Sequence, residues 1–179
     1  MRRKPTFKAM PPERVETIIG EPVKAVPGFP GYYCTTSGRI ISTLKGSCKE
    51  IPGSPDKDGY LKVALVKEHR HTHLRKHRVI TLTFLGASDL EVNHINGNKQ
   101  DNRLQNLEYV SARENQCHRR KAAGYKVGVC FDKKTSKWRA YLQHNKKWEH
   151  LGFFRTEAQA KTAYLSRLAE LNITNRYGI

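Results

Sequence analysis

The stretch from Val92 to His118, V-N-H-I-N-G-N-K-Q-D-N-R-L-Q-N-L-E-Y-V-S-A-R-E-N-Q-C-H, constrains this chain more than any other. It opens on a short apolar run that delivers Asn93 and His94, then breaks at Asn96-Gly97-Asn98, where Asn-Gly supplies the positive φ angles of a tight turn at little cost. After a polar loop, Leu107-Glu108-Tyr109-Val110 reads as the return strand. Ser111 with Glu114 three residues on is a capping box, so the spacing predicts a helix from about Ala112 to Ala123, with Gly124 as its stop.

The polar residues of this strand-loop-strand-helix unit sit where chemistry could use them. Asn93 and His94 end the first strand. Asn115 lies one turn into the helix, and His118 and Arg119 share its face at three and four residues further on. One imidazole beside amide oxygens from two elements can hold a hard divalent cation and activate a neighbouring water, an arrangement suited to phosphodiester hydrolysis.

These residues, in this spacing, resemble the His-Asn-His homing endonucleases, whose active site is a ββα-metal unit. The resemblance implies that His94 is the general base and that Asn93 and Asn115 are ligands of one Mg²⁺ or Mn²⁺, with His118 as a further candidate. It also implies that Asn106 ties the loop and helps to orient the histidine. One departure stands out: relatives often carry Asp where this chain has Asn93, and a neutral amide oxygen binds Mg²⁺ less strongly than a carboxylate.

The 179 residues suffice for one large or two small domains with real cores. A formal net charge of +17 calls for a polyanionic partner, and double-stranded DNA leads because lysines and arginines gain affinity from counterion release at phosphates. A membrane surface would need a basic amphipathic helix with large apolar residues, and none stands out. Cys34, Cys48, Cys117 and Cys130 are scattered with no C-x-x-C pair, which argues against a zinc site and a disulfide framework. No apolar run follows the basic start and no stretch reaches membrane-spanning length, so a cytoplasmic protein is expected, in the host cytoplasm if phage-encoded.

Residues 1–20, with Arg2, Arg3, Lys4 and Lys8, read as a flexible basic arm. From Glu21 the alternation of Gly, Pro and β-branched residues predicts short strands and tight turns through residue 75. Gly28, Gly31, Tyr33, Thr36, Ser37, Gly38, Arg39 and Ser42 resemble the small modular motif that often precedes this nuclease unit, which implies scaffolding and a DNA contact through Arg39 and Lys45. His69, His71 and His73 recur at period two, which puts them on one solvated or phosphate-facing side of an extended segment. Residues 76–118 are the expected nuclease unit. Propensity favours a strand for Lys76–Leu85, whereas the resemblance implies a helix whose Val79, Leu82 and Phe84 pack the core. Residues 119–126, with Arg119, Arg120 and Lys121, form a basic linker suited to the DNA backbone.

Residues 127–179 read as three strands and a helix over Glu157–Glu170, capped by Thr156 with Gln159 at N3. Period two turns Trp138, Ala140 and Leu142 towards that helix and Arg139, Tyr141 and Gln143 outwards, with Trp148 and His150 beside them. Flanked by Lys133, Lys134, Lys137, Lys146 and Lys147, that outer face has the chemistry of a groove reader. The segment resembles the DNA-binding domain of plant ethylene-response factors, although Val127, Cys130 and Asp132 stand where those domains carry arginines.

The sequence therefore predicts an α+β, modular, site-recognising DNA endonuclease of homing type, from a phage or mobile intron. By the resemblance it leaves a 5′-phosphate and a 3′-hydroxyl and acts as a monomer or dimer on DNA. The alternative is a DNA-binding regulator in which the nuclease unit has become a docking element, a reading that Asn93 keeps open.

Overall fold

The computed structural model describes residues 9–123, 127–145 and 147–175. The fold divides into two compact units, Met1–Tyr109 and Val110–Ile179.

In the first unit, Pro12 opens helix α1 (Pro12–Ile19) and Gly20, in the left-handed region, ends it. Val15 is fully buried against Tyr33 and Ile41, and Met10, Ile19 and Val23 pack around them. The expected arm over residues 1–20 is thus corrected from Pro12 onwards: V-E-T-I-I places apolar residues at helical spacing and buries them. Arg2, Arg3, Lys4 and Lys8 lie outside the described residues.

Strands β1 (Val23–Ala25), β2 (Tyr32–Thr35), β3 (Ile40–Ser42) and β4 (Lys49–Glu50) form an antiparallel sheet in chain order. Strands β5 (Ser54–Pro55), β6 (Leu61–Lys67) and β7 (Arg70–Arg75) form a second. The β6–β7 hairpin turns through Glu68 and His69 at φ 50° and 64°, the primed geometry that matches strand twist. His69 therefore belongs to the turn, and only His71 and His73 share the exposed strand face.

Helix α2 (Lys76–Leu85) follows β7 directly. Packing overrides its β-branched composition: Val79 and Ile80 are buried in the main core with Cys34, Ile40, Val63 and Leu65. The buried hydroxyls of Thr81 and Thr83 donate to the carbonyls of His77 and Val79, at 3.0 and 2.7 Å, so their burial leaves no donor unmet. Phe84 packs against the same core, while Leu82 is only half-buried. Strand β8 (Glu91–His94), a 3₁₀ turn (Leu104–Asn106) and strand β9 (Leu107–Val110) complete the series, with β8 and β9 paired.

The second unit begins with helix α3 (Ala112–Ala122), whose capping box is present in full: Ser111 Oγ accepts from Glu114 N, and the Glu114 carboxylate accepts from Ser111 N. Arg119, Arg120 and Lys121, expected in a linker, are its last turn, where cations favour the helix dipole. Gly124, the expected stop, lies outside the described residues.

Strands β10 (Val129–Asp132), β11 (Lys137–His144) and β12 (Lys147–Phe154) form an antiparallel sheet against helix α4 (Glu157–Glu170). Val129, Ala140 and Leu142 meet Ala160, Tyr164 and Leu168 in its core. Gly128 makes that packing possible: with φ +81°, a Cβ there would fall 2.4 Å from the Tyr164 ring. The register of the third strand slips between Ala140 and Tyr141, leaving Leu151 as the extra residue of a bulge.

Candidate active site

β8 carries His94 to its C-terminal end and buries it. Two rings enclose the imidazole. His77, on the first turn of α2, meets it edge-on at 5.1 Å, and Tyr60 lies 5.8 Å away. Tyr60 is in turn covered by Arg75 and Lys99, at 4.4 and 4.9 Å from its centroid. Burial drives His94 below the ordinary histidine range, against the smaller opposing pull of Asn102 and Asp101. Burial, aided by His94 itself, drives His77 down to about 3. Both rings are therefore neutral near pH 7. A neutral imidazole is what a general base requires.

Asn93, buried beside His94, donates through Nδ2 to Glu108 Oε1 on β9 at 2.9 Å. That bond fixes which end of the amide is nitrogen and orients Oδ1, a hard oxygen donor suited to Mg²⁺ or Mn²⁺. Among the described residues no group of three His, Cys, Asp or Glu side chains could hold a metal.

Asn106 ties the loop, as expected. Its Oδ1 accepts from Asn96 N at 2.9 Å, and its Nδ2 donates to Asn96 Oδ1 and Asp101 O at 3.0 and 2.8 Å. Arg103 pairs with Asp101 at 2.7 Å and holds that carboxyl well below the usual range. The residue that reaches His94, however, is Asn102, whose Oδ1 is 3.4 Å from His94 Nε2. Sequence reasoning gave Asn102 no role; the only available signal was its place in the D-N-R run that the family spacing includes.

The loop rests on the N-terminal motif. Leu104 N donates to Thr36 O at 2.9 Å, and a Cβ on Gly38 would lie 2.6 Å from Asn102 O. Arg39 of the same motif is held by Glu21 at 2.7 Å and Glu50 at 2.9 Å.

Asn115 and His118 stand on α3, in the second unit. Asn115 N donates to Ser111 O at 3.0 Å in the first turn, and one helical turn separates the two side chains.

The expected DNA-facing residues of the sheet do share one side. Arg139, Tyr141 and Gln143 pair with Phe153, His150 and Trp148 respectively. Tyr141 and Trp148 lie 5.5 Å apart, Arg139 covers Tyr141 at 5.3 Å, and His150 and Phe153 are 4.8 Å apart. Phe153 joins this face only because of the bulge, which period-two counting could not anticipate. Arg120 borders the same open groove. Lys133 and Lys134 lie exposed in the β10–β11 turn and Lys137 starts β11; Lys146 lies outside the described residues.

Beside this geometry stand the similarities to known proteins. Residues 74–117 match the family model described as HNH endonuclease. Among curated proteins it is similar to the DNA endonuclease I-HmuI of Bacillus phage SP01, 30% identical over 95 residues, covering 51% of this chain and 53% of that enzyme. It is also similar to the uncharacterized HNH endonucleases L247 and L245 of Acanthamoeba polyphaga mimivirus, at 38% and 33% identity. Those matches cover 52% and 49% of this chain but only 24% and 26% of the relatives. The chain thus spans about half of the phage enzyme and a quarter of the mimivirus proteins. A solved structure of the HNH homing endonuclease I-HmuI, describing its DNA binding and cleavage, has the same fold with TM-score 0.51 and 21% identity, over 85% of this chain and 84% of that one. No helix among the described residues is long and apolar enough to cross a membrane.

Proposed function

We propose that this protein is a metal-dependent DNA endonuclease of homing type that hydrolyses phosphodiester bonds and leaves a 5′-phosphate and a 3′-hydroxyl. The observation that carries the reading is His94: a buried imidazole, kept neutral by its surroundings, at the end of the strand within the HNH-matching segment. His94 takes a proton from water as the water oxygen bonds to phosphorus; the bond from phosphorus to the 3′ oxygen breaks, and that oxygen leaves to be protonated. Asn106 keeps the loop closed beside the base. By the resemblance alone, Asn93 and Asn115 would be ligands of a divalent cation, with His118 as a further candidate. When bound, the cation supplies positive charge to the phosphate and the leaving oxygen.

Residues 127–179 serve as a DNA-binding domain of the ethylene-response-factor type. Arg139 and Gln143 address base edges, and Tyr141, Trp148 and His150 contact sugars and methyls. Lys133, Lys134 and Lys137, with Arg119, Arg120 and Lys121 of α3, address phosphates. The partner is double-stranded DNA, bound as a monomer or dimer.

The test is supercoiled plasmid with and without Mg²⁺ or Mn²⁺, beside the His94→Ala variant. Metal-dependent nicking that the variant lacks, with DNA binding retained, is expected. Salt-sensitive binding without nicking, on DNA carrying the natural site, would favour the regulator reading that the neutral Asn93 keeps open.

A further inference from the structure

We propose that Asn102 is a positioning residue for His94, held by the glycine turn of the N-terminal motif, so that the imidazole presents Nδ1 as its proton-accepting atom. The inference rests on the reading of His94 as the base.

The amide of Asn102 has one assignable orientation. Its Nδ2 donates to Gln100 O at 2.9 Å, so the atom facing His94 Nε2, at 3.4 Å, is Oδ1. That separation is at the long end of hydrogen bonding, as resting catalytic pairs often are before substrate binds. An amide oxygen carries no proton, so the contact is a hydrogen bond only when Nε2 bears the hydrogen. In a neutral imidazole the lone pair is then on Nδ1. Asn102 thereby selects the tautomer, while the edge-on ring of His77 and the tilted ring of Tyr60 bracket the imidazole.

Asn102 is itself constrained from outside the nuclease segment. It is buried, and its carbonyl lies against Gly38, where φ is +87° and a Cβ would sit 2.6 Å from Asn102 O and 2.9 Å from Arg103 N. Both are backbone atoms, so no side chain can yield to make room. The bond from Leu104 N to Thr36 O at 2.9 Å holds the same loop on its other side. The two ion pairs of Arg39 anchor the turn to β4 and to Glu21. The motif acts on the base through one close backbone contact and one side chain.

The test combines the tautomer of His94 in the isotope-labelled full chain, read from long-range proton–nitrogen correlation spectra at neutral pH, with plasmid nicking. The wild type is expected to show a single tautomer with hydrogen on Nε2. Asn102→Ala is expected to mix the tautomers and to slow nicking about ten- to a hundred-fold, the range for residues that orient a functional histidine, with DNA affinity unchanged. Gly38→Ala should move both readouts in the same direction. Asn102→Asp, which keeps an acceptor oxygen, should keep the Nε2–H tautomer, and it decides the matter if Asn102→Ala fails to fold. A wild-type His94 protonated on Nδ1, or an unchanged tautomer in folded Asn102→Ala, would overturn the proposal. A wild type that does not nick would overturn the nuclease reading alone, because the tautomer is measured without cleavage.

Discussion

His77 and His94 meet edge to face inside the first unit, and the consequence is a dependence on acid. The unfolded chain protonates a histidine near 6.5, whereas burial holds His77 at about 3 when folded. The unfolded state therefore takes up a proton that the folded state refuses. The contribution to stability is complete above pH 6.5 and is lost as pH falls from there towards 3, at about 1.4 kcal/mol for each pH unit from that one group. Thermal melts across this window should show a falling transition temperature, and His77→Phe should flatten the dependence. His94 is displaced in the same direction, so the acid limb of the nicking rate should have its midpoint below pH 6.5; a midpoint above 6.5 would contradict its burial. At this scale the sequence was partly legible. The resemblance marked Asn93, His94 and Asn106, because motif residues keep fixed offsets. Asn102 was not legible, because its partners His94 and Gln100 are set by how the loop closes. The ion pairs of Arg39 were not legible, because two carboxylates distant in sequence converge on it.

Elements were legible wherever local signals and packing agreed. Both capping boxes formed at the predicted residues, Ser111 with Glu114 and Thr156 with Gln159. Ser111→Ala should cost about 1 kcal/mol, read as a loss of helicity or of melting temperature. Where the signals conflicted, tertiary contacts decided. V-I-T-L-T-F became helix because Val79 and Ile80 are buried in the core, and Pro12–Ile19 became helix rather than arm because Val15 had a core to enter. Gly128 marks a close contact between the strand start and α4. Gly128→Ala would combine a strained φ with a methyl driven into the Tyr164 ring. The expected loss is about 2–4 kcal/mol, the sum of backbone strain and overpacking, measurable by urea titration of the full chain.

For the molecule as a whole, a net charge of +17 predicts that DNA affinity falls steeply with salt. Lys137→Ala should lower the slope of log affinity against log salt by about one, as expected for one phosphate contact. Trp148→Ala should weaken binding with little change in melting temperature, since Trp148 is 59% exposed; equal affinity in that variant would remove the outer sheet face from the proposed DNA surface. The bulge in β12 has an evolutionary consequence. Because Leu151 pairs with nothing on β11, a chain lacking it could run β12 as an unbroken ladder, with Trp148, His150 and Phe153 still on the side of Tyr141. A deletion at Glu149 has no such refuge and would turn His150 inwards. In this strand length can drift at one position while the outward-facing letters stay the same, so a lineage could shed Leu151 and keep the face proposed to meet DNA, a difference that binding assays on the two deletion variants would expose.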